Sequence, residues 1–289
     1  MIDRLLLCTD MDRTIIPNGP QAESPGARAR FAQLARAPEI TLVYVTGRYL
    51  ALVEQALIAW DLPTPDYLIG DVGTTLYHRR DGGWLPDAGW REEIGRAWRG
   101  RLAADLQPEL STVSPALRLQ EPAKQNQFKL SYYAPHDCDA TALCDAFVDR
   151  LDRLGVPANL IWSVDETVPT GLLDVLPPRA DKRHAIEYLA QRLGVPLPHC
   201  LFAGDSGNDL AVLTSPIPGI LVANATAGVR AAAARATATN GNDAALYLAD
   251  GEAAPFGMNG NYAAGVLEGI GHFHPQLLAK LITRSEGAP

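Results

Sequence analysis

Two aspartates one residue apart, in the run Asp10-Met11-Asp12-Arg13-Thr14, follow directly on the apolar stretch Leu5 to Cys8. A free aspartate titrates near about 3.9, so both carboxylates would be charged at neutral pH and would repel each other. Such a pair calls for a cation, a shared proton, or both. Read alone, it is equally compatible with an ordinary turn in which aspartate caps backbone amides. A second acidic loop weighs against the turn. The apolar run Leu201 to Ala203 opens into Gly204-Asp205-Ser206-Gly207-Asn208-Asp209, where glycines permit close backbone approach.

Oxygen donors of this kind suit Mg²⁺ better than zinc, and magnesium chemistry commonly involves phosphate. Thr46 and Gly47, after the β-branched run Ile40 to Val45, offer a hydroxyl and an amide to phosphate oxygens. Lys182, at the start of an expected helix, offers the neutralising cation.

The elements that must hold these residues read as alternating strands and helices. Leu5–Cys8, Ile40–Val45 and Tyr67–Gly70 are short apolar runs that fit strands buried on both faces. Helical spacing follows the first, with Ser24 as expected N-cap ahead of Pro25, and Leu50 to Trp60 follows the second. From Thr74 the pattern changes to an expected hairpin around Asp81-Gly82-Gly83, which interrupts the sheet. A helix at Trp90–Leu106, a strand at Phe128–Tyr133, a helix at Cys138–Leu154 and a strand at Leu160–Val164 form an α+β unit. The first pattern is expected to resume with a strand at Leu172–Leu176, then a helix at Asp181–Leu193, strands at Cys200–Ala203 and Ile220–Ala223, and a covering helix around Val229–Ala236. The fold class is therefore α/β: a Rossmann-like parallel sheet core at 1–85 and 168–289, split around a smaller inserted α+β domain at 86–167.

Composition narrows the partners. Lys plus Arg number 25 against 33 Asp plus Glu, a net charge of -8 that disfavours nucleic acid and anionic membranes and favours a small ligand. Cys8, Cys138, Cys144 and Cys200 are scattered and read as reduced thiols. The apolar run after Met1 is too brief for a signal-peptide core, so the cytoplasm is the expected location.

Taken in order, Asp10-Met11-Asp12-Arg13-Thr14, Thr46-Gly47-Arg48, Lys182 and Gly204-Asp205-Ser206-Gly207-Asn208-Asp209 resemble the four motifs of haloacid dehalogenase superfamily phosphatases. Lys182 and Asp205 lie 23 residues apart, room for the one helix and one strand that superfamily requires. The insertion sits where its C2 caps occur and resembles subtype IIB. Gly70-Asp71-Val72-Gly73-Thr74-Thr75, Phe128-Lys129-Leu130-Ser131-Tyr132 and Gly265-Val266-Leu267-Glu268-Gly269-Ile270 look like segments of the sucrose-6-phosphate phosphatases and their relatives.

The resemblance implies a mechanism. Asp10 would be the nucleophile that forms an aspartyl-phosphate, and Asp12 the acid and then the base. Mg²⁺ would be held by Asp10, the backbone carbonyl of Asp12 and Asp205, with Asp209 a ligand or an orienting acceptor. Thr46, Lys182 and Asn208 would bind the phosphoryl oxygens. Specificity would come from the cap, with Lys129 and Arg48 as candidate sugar or phosphate contacts and Asp174 and Asp71 beside them. An alternating strand would equally leave Lys129 on a solvated face. Arg13 departs from the small or neutral residue common at its position and reads either as a surface arginine or as added positive potential at the site's entrance, the surface reading being preferred. Trp84, Trp90 and Trp98 read as packing residues, and the His272/His274 pair as a turn.

The implied reaction is hydrolysis of a sugar phosphate, sucrose 6-phosphate first, with mannosylfructose phosphate, another glycosyl phosphate or a hexose phosphate as rivals. A sugar-phosphate synthase would be a functional partner. A phosphomutase, and a non-catalytic sensor or synthase partner, are the alternatives from other classes.

Overall fold

The computed structural model describes residues 4–165, 170–253 and 255–279. The chain opens with β1 (Leu5–Thr9), α1 (Ala27–Ala35), β2 (Ile40–Val45), α2 (Leu50–Ala59) and β3 (Tyr67–Gly70), then folds into the hairpin β4 (Thr75–Arg80) and β5 (Gly83–Pro86). Next come α3 (Ala88–Gly95), α4 (Ala103–Leu110), β6 (Arg118–Leu119), β7 (Leu130–Ala134), α5 (Ala140–Leu154), β8 (Asn159–Asp165) and β9 (Thr170–Leu176). The remainder alternates again through α6 (Lys182–Leu193), β10 (Cys200–Gly204), α7 (Leu210–Leu213), β11 (Gly219–Leu221), α8 (Ala227–Asn240), β12 (Leu246–Leu248) and α9 (Ala263–Phe273).

Among the described residues the strands make two sheets. The larger runs β12-β11-β10-β1-β2-β3-β4-β5, parallel from β12 to β3 and finished by the antiparallel hairpin. Its central strands are buried along their whole length because both faces are covered. Leu5 and Leu7 share a core with Phe31 of α1, Val53 of α2 and Leu267 of α9. Leu6 and Cys8 share the opposite core with Ile186 of α6, Val212 of α7 and Ala233 of α8. Strands are added outward from β1 on one side and from β10 on the other, so a crevice opens at the carboxyl ends of these two neighbours.

The smaller sheet runs β6-β7-β9-β8, antiparallel throughout. Segment 172–176, expected to return to the first sheet, belongs here instead, pairing with β7 on one side and β8 on the other. Its side chains alternate, with Leu173 and Val175 fully buried and Leu172 and Asp174 half-buried, which is the pattern of a strand with one face packed and one open. The expected boundary at 167/168 lies outside the described residues.

Three local expectations differ from the structure. The hairpin at Asp81-Gly82 extends the large sheet at its edge rather than interrupting it. Helix 90–106 is two helices, parted where Arg99 (φ 51°) and Gly100 (φ 86°) adopt left-handed backbone that no α-helix continues through. Ser24 does not cap α1, whose N-cap is Gly26. Ser24 Oγ instead donates to Asn259 Oδ1 (2.8 Å). Among the described residues no helix is long and apolar enough to cross a membrane.

Candidate active site

Asp10 follows β1 at its carboxyl end, tied to the neighbouring strand by its amide, which donates to the Ala203 carbonyl (2.8 Å). The end of that neighbour, β10, carries Asp205 and the turn to Asp209. Oxygens of Asp10, Asp205 and Asp209 lie within 4.8 Å of one another, and all three residues are buried. Lys182, first residue of α6, reaches the same point. Its ammonium donates to Asp209 Oδ1 (2.7 Å) and Asn208 Oδ1 (3.0 Å) and lies 3.3 Å from Asp10 Oδ1. The helix start is fixed by Asp181, whose side chain accepts from the His184 amide (2.9 Å).

Asp209 organises its own loop. Its Oδ2 accepts from the backbone amides of Asp205 and Ser206 at 3.1 Å each, and from the Ser206 hydroxyl at 3.2 Å. The close approach requires glycine at 204, where a Cβ would stand 2.6 Å from Asp209 Cγ and Oδ2. Gly204→Ala is therefore expected to displace the Asp209 carboxylate and to cost roughly 1–3 kcal/mol in urea unfolding. An unchanged midpoint would show that the loop yields freely.

The second aspartate of the pair faces elsewhere. Asp12 is held by a two-pronged bond from Arg48, Nε to Oδ2 at 2.7 Å and Nη2 to Oδ1 at 2.6 Å, and by Asn18 Nδ2 at 2.7 Å. Thr46 is buried, and its hydroxyl accepts from the Arg48 amide (3.2 Å). Arg13, expected at the surface, is three-quarters buried. Its Nε stands 3.1 Å from Asp205 Oδ2, and its left-handed backbone (φ 57°) is clamped by Asn224, whose Nδ2 donates to the Arg13 carbonyl (2.7 Å).

Electrostatics follow from this crowding. Burial pushes the Asp10 carboxyl well above the ordinary range. The Lys182 charge works against that rise, and Asp209, Asp205 and Asp12 add to it. Asp205 is pushed up to about 7, first by burial and then by Asp209, with Arg13 and Lys182 pulling the other way. For Lys182, burial alone would favour the neutral amine, but Asp10 and Asp209 outweigh it and raise the group further. Four carboxylates, Asp10, Asp12, Asp205 and Asp209, thus meet three cations, Lys182, Arg13 and Arg48. An all-oxygen donor set with unbalanced negative charge fits a hard divalent ion.

Above these residues lies a cleft of about 490 Å³, within the range of small-molecule sites. Its floor is Asp10, Asp12, Arg13, the 46–48 loop and the 205–208 loop. Trp162, Ser163 and Val164 of β8 and Leu172 of β9 face them from the small sheet. Trp90 and Trp98 are buried elsewhere, and Trp84 packs under Arg79. His272 stacks on Tyr247 and His274 is buried. Lys129 and Asp174 do not line the cleft. Lys129 is buried rather than solvated, 3.3 Å from Asp71 Oδ1, and Asp174 accepts from the Ser131 hydroxyl. Asn18, Asn224 and Trp162 escaped sequence reading because each meets the site from a segment that only folding brings near it.

A profile of the sucrose-6F-phosphate phosphohydrolase family matches residues 3–274. The chain belongs to this family. It is a phosphoric monoester hydrolase of the haloacid dehalogenase superfamily, with that superfamily's α/β core. A protein of Nitrosococcus oceani described only as a HAD-like hydrolase is 49% identical over 286 residues, 99% of this chain and 76% of its own length. Mannosylfructose-phosphate phosphatase of Agrobacterium fabrum is 32% identical over 225 residues, 76% of this chain and 83% of that one. The solved sucrose-phosphatase of Synechocystis sp. PCC6803, in complex with sucrose and phosphate, superposes with a TM-score of 0.73 at 25% identity, covering 93% of this chain and 98% of the other.

Proposed function

We propose that this phosphatase hydrolyses a phosphorylated disaccharide of the sucrose 6-phosphate kind, releasing the free sugar and inorganic phosphate with Mg²⁺ as cofactor. The observation that carries the reading is the meeting of Asp10, Lys182 and Asp205 at two adjacent strand ends beneath a cleft bounded by the second sheet. The family profile supports it as well.

An Asp10 carboxylate oxygen attacks phosphorus, and the bond from phosphorus to the sugar oxygen breaks. Asp12 gives the leaving oxygen its proton. Water then attacks the aspartyl-phosphate, Asp12 takes its proton back, and phosphate leaves with Asp10 restored. Arg48 and Asn18 set the orientation from which Asp12 turns to the leaving oxygen. Lys182 counters the charge of the transferring group, with Thr46 and Asn208 as further donors. Mg²⁺, held by Asp10, Asp205 and the Asp12 carbonyl with Asp209 orienting the loop, would supply Lewis-acid polarisation of the phosphoryl oxygens. The unit around β6–β9 acts as a cap, presenting β8 to the sugar and excluding water.

The resemblance to mannosylfructose-phosphate phosphatase favours mannosylfructose phosphate as a second reading. Phosphate release from a panel of phosphosugars, with Mg²⁺ and with chelator, tests both. Sucrose 6-phosphate is expected to give the highest kcat/KM, and chelation to abolish turnover. Preference for mannosylfructose phosphate would move the assignment to the second reading, and full activity under chelation would overturn the metal.

A further inference from the structure

Between the phosphate-binding loop and the lysine helix sits a turn that no step above uses. Asp71, Val72 and Gly73 all adopt left-handed backbone, with φ of 51°, 56° and 109°. Valine is β-branched and almost never accepts that conformation, so the surrounding structure must enforce it. The Asp71 amide donates to the Arg48 carbonyl (3.0 Å) and the Val72 amide to the Thr46 carbonyl (3.1 Å). On its other side the turn is pressed against the start of α6, since a Cβ on Gly73 would stand 2.2 Å from the Asp181 carbonyl carbon and 2.6 Å from the Lys182 nitrogen. One strained turn therefore touches both Thr46-Gly47-Arg48 and Lys182.

The turn is pinned from the second sheet. Lys129, one residue ahead of β7 and 4% exposed, brings its ammonium to 3.3 Å from Asp71 Oδ1, while Thr75 Oγ1 donates to Asp71 Oδ2 (3.1 Å). On the small sheet's own side, Asp174 also feels the Lys129 charge, which opposes the rise that burial imposes on that carboxyl. Two flanking bonds run the same way: Asn126 Nδ2 donates to Thr74 Oγ1 (2.7 Å), and Trp90 Nε1 donates to the Gly73 carbonyl (3.0 Å). A buried cation paired with a buried carboxylate, as Lys129 is with Asp71, is sensitive to loss of either member.

We propose that Lys129 is a positioning residue: it holds the Asp71–Gly73 turn from the second sheet, and through that turn it sets Thr46, Arg48 and Lys182 for phosphoryl transfer. The inference rests on the phosphatase reading and adds to it a direct mechanical link between the cap and the phosphate site. Because the turn touches phosphate-binding groups and not the sugar side of the cleft, its loss impairs every phosphate ester alike.

The test compares Lys129→Met, Asp71→Asn and the double variant with the unmutated chain on a phosphosugar and on p-nitrophenyl phosphate, at a temperature where circular dichroism finds each folded. Turnover of both substrates by the unmutated chain is established first, so failure of the functional reading appears there and failure of this inference only in the variants. The expected result is a kcat lower by about 10- to 100-fold on both substrates, an almost unchanged KM for the phosphosugar, and a double variant no worse than either single one. A raised phosphosugar KM with normal p-nitrophenyl phosphate turnover would make Lys129 a sugar contact and overturn the proposal. So would normal kcat on both substrates, or losses that add in the double variant. If Lys129→Met does not fold, Asp71→Asn decides alone: equal loss on both substrates supports the link, and normal kcat overturns it.

Discussion

Asp10→Asn is expected to release phosphate at a rate on the order of 10⁶-fold below the unmutated chain, the scale seen when a catalytic nucleophile is removed. The amide keeps the shape of the side chain but has no anionic oxygen with which to form an acyl phosphate. The same change should leave the fold at least as stable in metal-free buffer. Asp10 is a buried carboxylate crowded by Asp209, Asp205 and Asp12, and the charge of Lys182 only partly relieves it. Lys182 keeps its shorter contacts to Asp209 at 2.7 Å and Asn208 at 3.0 Å. Turnover lost without a lower melting temperature is thus the signature of the nucleophile. Activity within tenfold of the unmutated chain would remove Asp10 from that role.

Lys182→Ala carries the second-largest effect, a fall of about 100- to 1,000-fold in kcat. Its ammonium is 3% exposed and faces three oxygens, those of Asp209, Asn208 and Asp10. Here stability falls too, because removing one member of a buried charge cluster strands the others, at a cost of roughly 3–5 kcal/mol. The two effects separate experimentally. Adding Mg²⁺ should recover part of the urea-unfolding free energy by neutralising the carboxylates. Turnover should stay low, since the donor to the transferring group is still missing. Near-normal kcat in the folded variant would reject the role.

The two variants respond oppositely in stability because they disturb the same charge balance from opposite sides. Asp10 is an excess anion in its surroundings, whereas Lys182 is the cation that makes those surroundings tolerable. The pairing of Arg13 with Asp205 belongs to that balance, and it explains how a bulky cation is accommodated next to Thr14.

The order and types of the reacting residues were legible in the chain alone. Leu5–Thr9, Ile40–Val45 and Cys200–Gly204 are buried runs that can only be interior strands of a covered parallel sheet. In such a sheet whatever follows each run emerges at one edge, so Asp10, Thr46 and Asp205 had to converge. The split of the α/β core around an α+β insertion was legible for the same reason, because periodicity is local.

What the chain did not disclose were the pairings made at a distance. A half-apolar strand such as Thr170–Leu176 fits either sheet until its neighbours exist, and its alternation around Asp174 gains meaning only beside β7 and β8. Lys129 looks like a solvated or sugar-facing cation until the small sheet docks and buries it against Asp71. Asp209 reads equally as a metal ligand or as an orienting acceptor, and only the closed turn shows its carboxylate accepting from two amides and from Lys182. Sequence settled which groups stand at the strand ends, because hydrophobic burial is written along each segment. Tertiary structure alone decided which partner each charge takes, because that depends on loops from separate segments meeting in space.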